Sequence, residues 1–134
     1  MLSISDQRLT SPRVPISWGE LFDKICILEI KKVNASSGKK KKNIVAEFNL
    51  LKSFVSNEIL RDYRLDMLCR ELKDVNQNIW DIEDEIRSKE AICDFGKRFV
   101  ELARNTYKLN DRRAEIKKEI NNILNSEIVE EKIY

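Results

Sequence analysis

Apolar residues recur at steps of three and four over most of the chain, which is the spacing of one face of an α-helix. The clearest run lies between Tyr63 and Ala91, where seven apolar residues follow one another over three heptads. They are Leu65, Leu68, Leu72, Val75, Ile79, Ile82 and Ile86. The run predicts a long third helix with a coiled-coil-like seam, roughly 43 Å long at ~1.5 Å per residue.

A second run of the same spacing predicts a fourth helix, with Asp94 as its N-cap. Its seam comprises Phe95, Phe99, Leu102, Thr106, Leu109, Arg113, Ile116, Ile120 and Ile123. We expect the third and fourth helices to form an antiparallel hairpin that turns near Cys93. Thr106 and Arg113 are polar seam positions, so each needs a partner inside the bundle.

Two further helices are predicted in the first half of the chain. Ser17-Trp18-Gly19-Glu20 matches a capping box, in which Ser17 caps the helix and the Glu20 carboxylate reaches back. This helix is apolar around most of its circumference and ends in the breaker-rich segment 34–38. The second helix follows the lysine run, with Ile44, Phe48, Leu51 and Val55 on one face, and its boundary with the third lies near 57–62.

The predicted fold is all-α: an elongated antiparallel bundle of three to four main helices. The 134 residues contain only three glycines and two prolines, and 36% are charged, which is typical of long solvated helices. Residues 1–15 are predicted to be a flexible arm, and 16–134 a single helical domain. We expect the tail 126–134 to be ordered and to dock through Ile128, Val129, Ile133 and Tyr134.

Charge, cysteine and histidine content restrict the function. A net charge of +2 gives no global attraction to nucleic acid or membranes. The chain has no histidine, which removes Ser-His and Cys-His nucleophiles, and its three cysteines lack C-x-x-C spacing, so we expect no metal site and no cofactor. The odd thiol count and the lack of an apolar leader in residues 1–15 predict a cytoplasmic protein.

A polar stripe flanks the seam of the third helix and has two interpretations. In the structural one, Asn76 and Asn110 form a polar layer that fixes the register of the hairpin. In the functional one, five charged residues line a pocket for a small anionic ligand, as in a small helical-bundle enzyme. They are Lys24, Glu83, Arg87, Arg113 and Lys117.

Two charge clusters carry weaker signals. Lys39, Lys40, Lys41 and Lys42 follow Lys31 and Lys32 in what we predict to be the loop between the first two helices. This basic loop is interpreted as a solvated surface, with weak nucleic-acid binding as the alternative. The acidic cluster 81–85 is interpreted as a solvated helix face rather than a magnesium site.

Several blocks of the sequence resemble a small bacterial family, domain-of-unknown-function family 6165. The blocks are Ile16-Ser-Trp-Gly-Glu-Leu, Ile27-Leu-Glu-Ile-Lys31, Ile82-Glu-Asp-Glu-Ile-Arg87, Asn110-Asp-Arg-Arg-Ala114 and Glu130-Glu-Lys-Ile-Tyr134. The resemblance runs from Ile16 to Tyr134 and implies no established activity. It does imply that Asp23, Lys24, Glu83, Arg87, Asn110, Arg113 and the 130–132 segment belong to one framework, and that the lysine loop is a variable part.

The leading hypothesis is a protein–protein interaction or assembly module, homo-oligomeric or bound to a protein partner through leftover apolar helix surface. A binder of a small anionic ligand or an enzyme is the alternative. Nucleic-acid binding ranks last, and no membrane association is expected.

Overall fold

Five helices make up the computed structural model, which describes residues 3–7 and 9–134. They are α1 (Trp18–Asn34), α2 (Lys39–Lys52), α3 (Asn57–Leu60), α4 (Tyr63–Ala91) and α5 (Lys97–Ile123). The described residues contain no strand, which confirms the all-α class. None of these helices combines the length and the apolarity that a membrane span requires.

The two longest helices, α4 and α5, pack side by side and run antiparallel. Two ion pairs between them show the direction: Glu71 of α4 pairs with Arg112 of α5, and Glu85 pairs with Arg98. The residue number therefore rises along α4 while that of its partner falls along α5. Between the helices lie side chains that are at most 1% exposed, namely Leu65, Leu72, Leu102, Ile116 and Ile120. The predicted span of the third helix, Tyr63 to Ala91, is confirmed at both ends.

Helix α1 packs across one end of this pair and is covered on its other side by α2. Phe22 of α1 joins the core formed by α4 and α5. Leu21, Ile25 and Leu28 form a second apolar cluster with Phe48 of α2. The prediction that the first helix is buried on several sides is confirmed, and it places Asp23, at 1% exposure, inside the bundle.

Of the two N-caps predicted for the first and fourth helices, one is confirmed and one is wrong. Ser17 caps α1 as predicted, because its hydroxyl accepts the Glu20 amide at 3.1 Å. The prediction that Asp94 caps the fourth helix is wrong, since α5 begins at Lys97 with Gly96 as its N-cap. Asp94 instead accepts the Gly96 amide at 3.2 Å, and its own amide closes the end of α4 on the Lys89 carbonyl.

Both long helices end in a Schellman motif, in which a residue of left-handed conformation lets the chain turn back. Cys93 (φ 54°) holds this position after α4 and Asn125 (φ 50°) after α5. In the second motif the Ser126 amide donates to the Asn121 carbonyl at 2.8 Å. The motif thereby aims the chain after α5 back toward the start of α1.

The lysine run is helical, so its prediction as a loop is wrong. Gly38, at φ 113°, ends the connection, and α2 begins directly at Lys39. Lysine is a good helix former, and the chain has already reversed its direction over residues 35–38. Lys39–Lys42 therefore form the first turn of α2.

A single helical turn, α3, occupies the uncertain boundary between the second and third predicted helices. Ser56 accepts the Ile59 amide at 3.4 Å to start it, and Asp62 accepts the Arg64 and Leu65 amides to start α4. The chain thus changes direction twice within ten residues without a glycine or proline.

The two terminal segments differ in how they contact the bundle. Of the predicted arm, residues 3–7 and 9–15 are all exposed and include a 3-10 turn at Ile4–Asp6, while residues 1, 2 and 8 lie outside the described part. The tail docks, but the prediction that apolar side chains hold it is wrong, since Ile133 and Tyr134 are more than 90% exposed. Ion pairs hold it instead, including Lys132 with Asp111.

Candidate functional site

A buried carboxylate, that of Asp23, joins three helices. Arg113 of α5 binds both of its oxygens, with Nε 2.9 Å from Oδ1 and Nη2 2.5 Å from Oδ2. Asn76 of α4 donates to Oδ1 at 2.9 Å. Asp23 thus receives three hydrogen bonds while only 1% exposed, which compensates for the loss of its hydration.

Arg113 supplies the matching positive charge. Its hydrogen bonds to Asp23 raise its pKa above the ordinary value, against the effect of burial, so it stays protonated. Its Nη1 also donates to the Asn110 side-chain oxygen at 3.3 Å. Asn110 in turn donates to the backbone carbonyl of Thr106, so the cluster is hydrogen-bonded out to its edge.

A second ion-pair group, one turn nearer the start of α1, contains Lys117. Its ammonium lies 2.6 Å from Glu20 and 3.4 Å from Glu130 of the tail. Burial would raise the pKa of Glu20, but the hydrogen bond from Lys117 and the charges of Lys117 and Lys24 outweigh it and lower that pKa to about 2. The pKa of Lys117 is raised, because its bonds to Glu20 outweigh its own burial.

The first amides of α1 are bonded to the C-terminal end of α5. Gly19 donates to the Asn121 side chain at 2.7 Å, and Trp18 donates to the Ser126 hydroxyl at 3.2 Å. A Cβ on Gly19 would lie 3.0 Å from the Lys117 carbonyl carbon and closer still to its oxygen. Glycine is therefore required here for the close approach of the two backbones.

The five residues predicted to line an anion pocket do not converge. Arg113 and Lys117 are close together, but Asp23 and Glu20 neutralise them. Lys24 is exposed and pairs with Glu20 at 3.5 Å. Glu83 and Arg87 are exposed on α4, two and three turns beyond Asn76, because the long helices extend past the point where α1 crosses them.

The predicted layer of Asn76 against Asn110 is also corrected. The two amides do not bond to each other; both bond to the Asp23–Arg113 pair. Asn76 and Asn110 lie at similar distances along the chain from the turn at Cys93, but Asp23 of α1 bonds to Asn76 and Arg113 bonds to Asn110. Asn76 and Asn110 therefore contact each other only through the Asp23–Arg113 pair, which links the three helices.

The Asp23–Arg113 cluster, the ion pairs of Lys117 and the bonds between α1 and the end of α5 together form one polar network. Three of its members were not predicted from the sequence: Glu20, Asn121 and Ser126. Glu20 was assigned to the capping box, but its carboxylate turns to Lys117. The position of Asp23 next to Phe22, in a helix that is apolar around most of its circumference, is a sequence feature that indicates a buried carboxylate. Asn121 and Ser126 contact α1 across more than 100 residues of sequence, and local patterns do not report such contacts.

The basic turn of α2 lies apart from this network. The ammonium groups of Lys32 and Lys52 both lie over the Phe48 ring, at 4.4 and 5.3 Å from its centre. Lys39, Lys40 and Lys42 are exposed. They extend a positive surface at the end of the α1–α2 pair.

The polar network is built to hold helices together. No buried side-chain nitrogen or oxygen among the described residues lacks a hydrogen-bond partner. The same part of the chain holds no group of three or more Cys, Asp or Glu side chains arranged to bind a metal ion. Beside the network, a groove of about 310 Å³ between α5 and the tail is lined by Arg113, Lys117, Lys118, Glu130, Glu131 and Lys132.

Comparison with known proteins identifies the family. No curated protein and no solved structure matches the chain. A family model described as a family of unknown function, DUF6165, matches residues 12–134, which include every residue of the polar network. The chain therefore belongs to the family of unknown function DUF6165.

Proposed function

We propose that the protein is an assembly module that forms a twofold homodimer through the far part of the α4–α5 pair. We call this part, residues 80–108, the distal hairpin. The contacts of α1 with the long pair involve Asn76 and Arg113 and run from there toward the other end. Within the distal hairpin Leu102 is the one buried residue, so two long helices project with little core of their own.

The distal hairpin continues the face that α1 covers elsewhere. Trp80, Glu83 and Arg87 follow Asn76 at steps of four, three and four, and therefore share its side of α4. On α5, Tyr107 lies three residues before Asn110 and is 55% exposed. Aromatic and arginine side chains are enriched at protein interfaces relative to the rest of the surface.

Two unpaired charges on this face are self-complementary. Glu83 and Arg87 are one turn apart, both are exposed, and neither makes an ion pair within residues 3–7 and 9–134. A twofold axis between them would place Glu83 against Arg87 of a second copy and Arg87 against that copy's Glu83. Such reciprocity is the property of an isologous dimer interface.

The test is sedimentation equilibrium on charge-reversal variants. Glu83→Arg and Arg87→Glu each place like charges across the twofold axis, and each is expected to weaken dimerisation about tenfold or more. The double variant restores opposite charges and should dimerise again. An equimolar mixture of the two single variants should form heterodimers, which is the outcome peculiar to reciprocal pairing.

Asp84→Arg is the matched control. Asp84 is exposed and adjacent to Glu83, but it points about 100° away around the helix. Its reversal should leave dimerisation unchanged. A monomeric wild-type chain at high concentration, or equal weakening by all three reversals, contradicts the proposal.

A further inference from the structure

A pocket of about 140 Å³ opens between α1, α4 and the segment that contains α3. It lies at the opposite end of the long pair from the distal hairpin, and it is independent of the proposed dimer. Three parts of the chain form its walls. The apolar and thiol lining comes from Phe22 and Cys26 of α1, from Val55 just before α3 and Leu60 at its end, and from Cys69 and Leu72 of α4.

Most of the lining is apolar or thiol, and the charged side chains that also line the pocket are those of Glu29, Lys52 and Lys73. Burial raises the pKa of Cys26 above its ordinary value and that of Cys69 to about 11, so both remain neutral near pH 7. A neutral thiol behaves as a small apolar group with weak hydrogen-bonding capacity. A ligand in this pocket therefore needs an apolar body.

The volume sets the size of that body. An apolar protein cavity of roughly 150 Å³ is large enough to bind benzene and stays dry when empty. The pocket is of this size, and Leu60, 48% exposed, stands at its edge. It fits a phenyl ring or a hydrocarbon chain of about six carbons.

Charges at the rim add a second requirement. Lys73 is paired with Glu29 at 3.3 Å. Lys52, which also lines the pocket, makes no ion pair in the described part of the chain, and its ammonium lies 5.3 Å from the Phe48 ring centre. One ammonium beside an apolar pocket is the arrangement that accepts a single carboxylate.

We propose that this pocket binds a small amphipathic monoanion, with a phenyl-sized apolar body among the thiols and a carboxylate at Lys52. The occupant is a free small molecule. Because the walls join α1 to α3 and α4, its binding would also stabilise the connection between α2 and α4.

The first test is an NMR titration of the full chain with phenylacetate, and with benzyl alcohol as the uncharged probe. Phenylacetate should bind with a Kd of about 1 mM or below, and shift the amides of the wall residues. Lys52→Gln should weaken phenylacetate about three- to fivefold and leave benzyl alcohol unchanged. Lys40→Gln, an exposed lysine on the same helix, should affect neither probe.

A second measurement follows the alkylation of Cys69 by N-ethylmaleimide. Cys93 is exposed and is first replaced by serine. Phenylacetate should slow alkylation in proportion to occupancy, and Leu60→Trp, which fills the mouth, should abolish both binding and protection. If that variant fails to fold, the shifts in the wild-type chain and the protection of Cys69 in the Cys93→Ser chain decide alone.

Three results would overturn the proposal. The first is the absence of wall shifts up to the solubility limit of phenylacetate. The second is equal weakening of both probes by Lys52→Gln, which removes the role of the carboxylate. The third is protection of Cys69 that depends on protein concentration without ligand, which assigns the pocket to a side chain of a second copy.

Discussion

Arg113 of α5 holds Asp23 of α1 through both carboxylate oxygens, although 90 residues separate them in the chain. Asn76 of α4 donates a further hydrogen bond to the same carboxylate. Three helices therefore depend on one buried charge, and the loss of either ionic partner leaves the other without compensation.

Replacing Asp23 by alanine is expected to lower the free energy of unfolding by about 3 kcal/mol, the lower end of the range for breaking a buried pair, since Arg113 is 27% exposed. Urea unfolding measures this. The double variant Asp23→Leu with Arg113→Met should recover part of the loss, because no charge then remains unpaired.

Arg70→Gln, which breaks a surface pair with Asp66, should cost less than about 1 kcal/mol. Equal losses for the buried and surface pairs would contradict the role given to Asp23.

Gly19→Ala should destabilise the fold by about 1–3 kcal/mol, because the added methyl group meets the Lys117 backbone and forces α1 away from α5. Gly96→Ser is the control, since Gly96 is an N-cap with extended backbone and its nearest contact is a side-chain oxygen at 3.3 Å. Serine there should be neutral or slightly stabilising. Thermal unfolding of both variants distinguishes a steric effect from a general cost of losing glycine.

Cys93→Gly should stabilise the protein by about 1 kcal/mol, because Cys93 adopts a left-handed conformation that glycine adopts without steric cost. Asn125→Gly, at the equivalent position after α5, should gain less, since asparagine tolerates this conformation better than cysteine. The comparison uses urea midpoints under reducing conditions. A larger gain at Asn125 than at Cys93 would be inconsistent with this reason.

Stability should fall in acid through Glu20. Its folded pKa of about 2 lies below the ordinary value of 4.5, so its contribution is complete above about pH 5 and is lost as the pH falls toward 2. The loss is on the order of 2 kcal/mol. Glu20→Gln should have a flatter dependence between pH 5 and 2, measured by urea unfolding at each pH. Parallel curves for the variant and the wild-type chain would rule out this assignment.

Periodic and local signals were sufficient for much of the fold. The seam between Tyr63 and Ala91 fixed a helix at both ends, and the hydroxyl of Ser17 identified the start of α1. Both features depend on residues within a few turns of one another. The start of α5 was misplaced because Asp94 has the chemistry of an N-cap, while the Schellman turn at Cys93 uses it to end α4 instead.

The candidate site could be predicted only in part, because its partners are distant in sequence. The seam pattern predicts that Arg113 needs a partner inside the bundle, and the family resemblance implies that Asp23 belongs to the same framework. Their pairing follows from the angle at which α1 crosses the long helices, which no spacing encodes. Glu83 and Arg87 share a stripe with Asn76, but α1 ends its contact before reaching them.

The bonds between the start of α1 and the end of α5 also have a consequence for the order of events on the ribosome. Trp18, Gly19 and Ser17 bond to residues that are 108, 102 and 113 positions later. While synthesis is in progress α1 has no such partners, whereas α4 and α5 can pair locally as soon as both have emerged. We therefore expect α1 to pair early with α2, its neighbour in sequence, and to dock on the long pair only after α5 has left the exit tunnel. Until then the side of α1 that faces α4 and α5 stays uncovered.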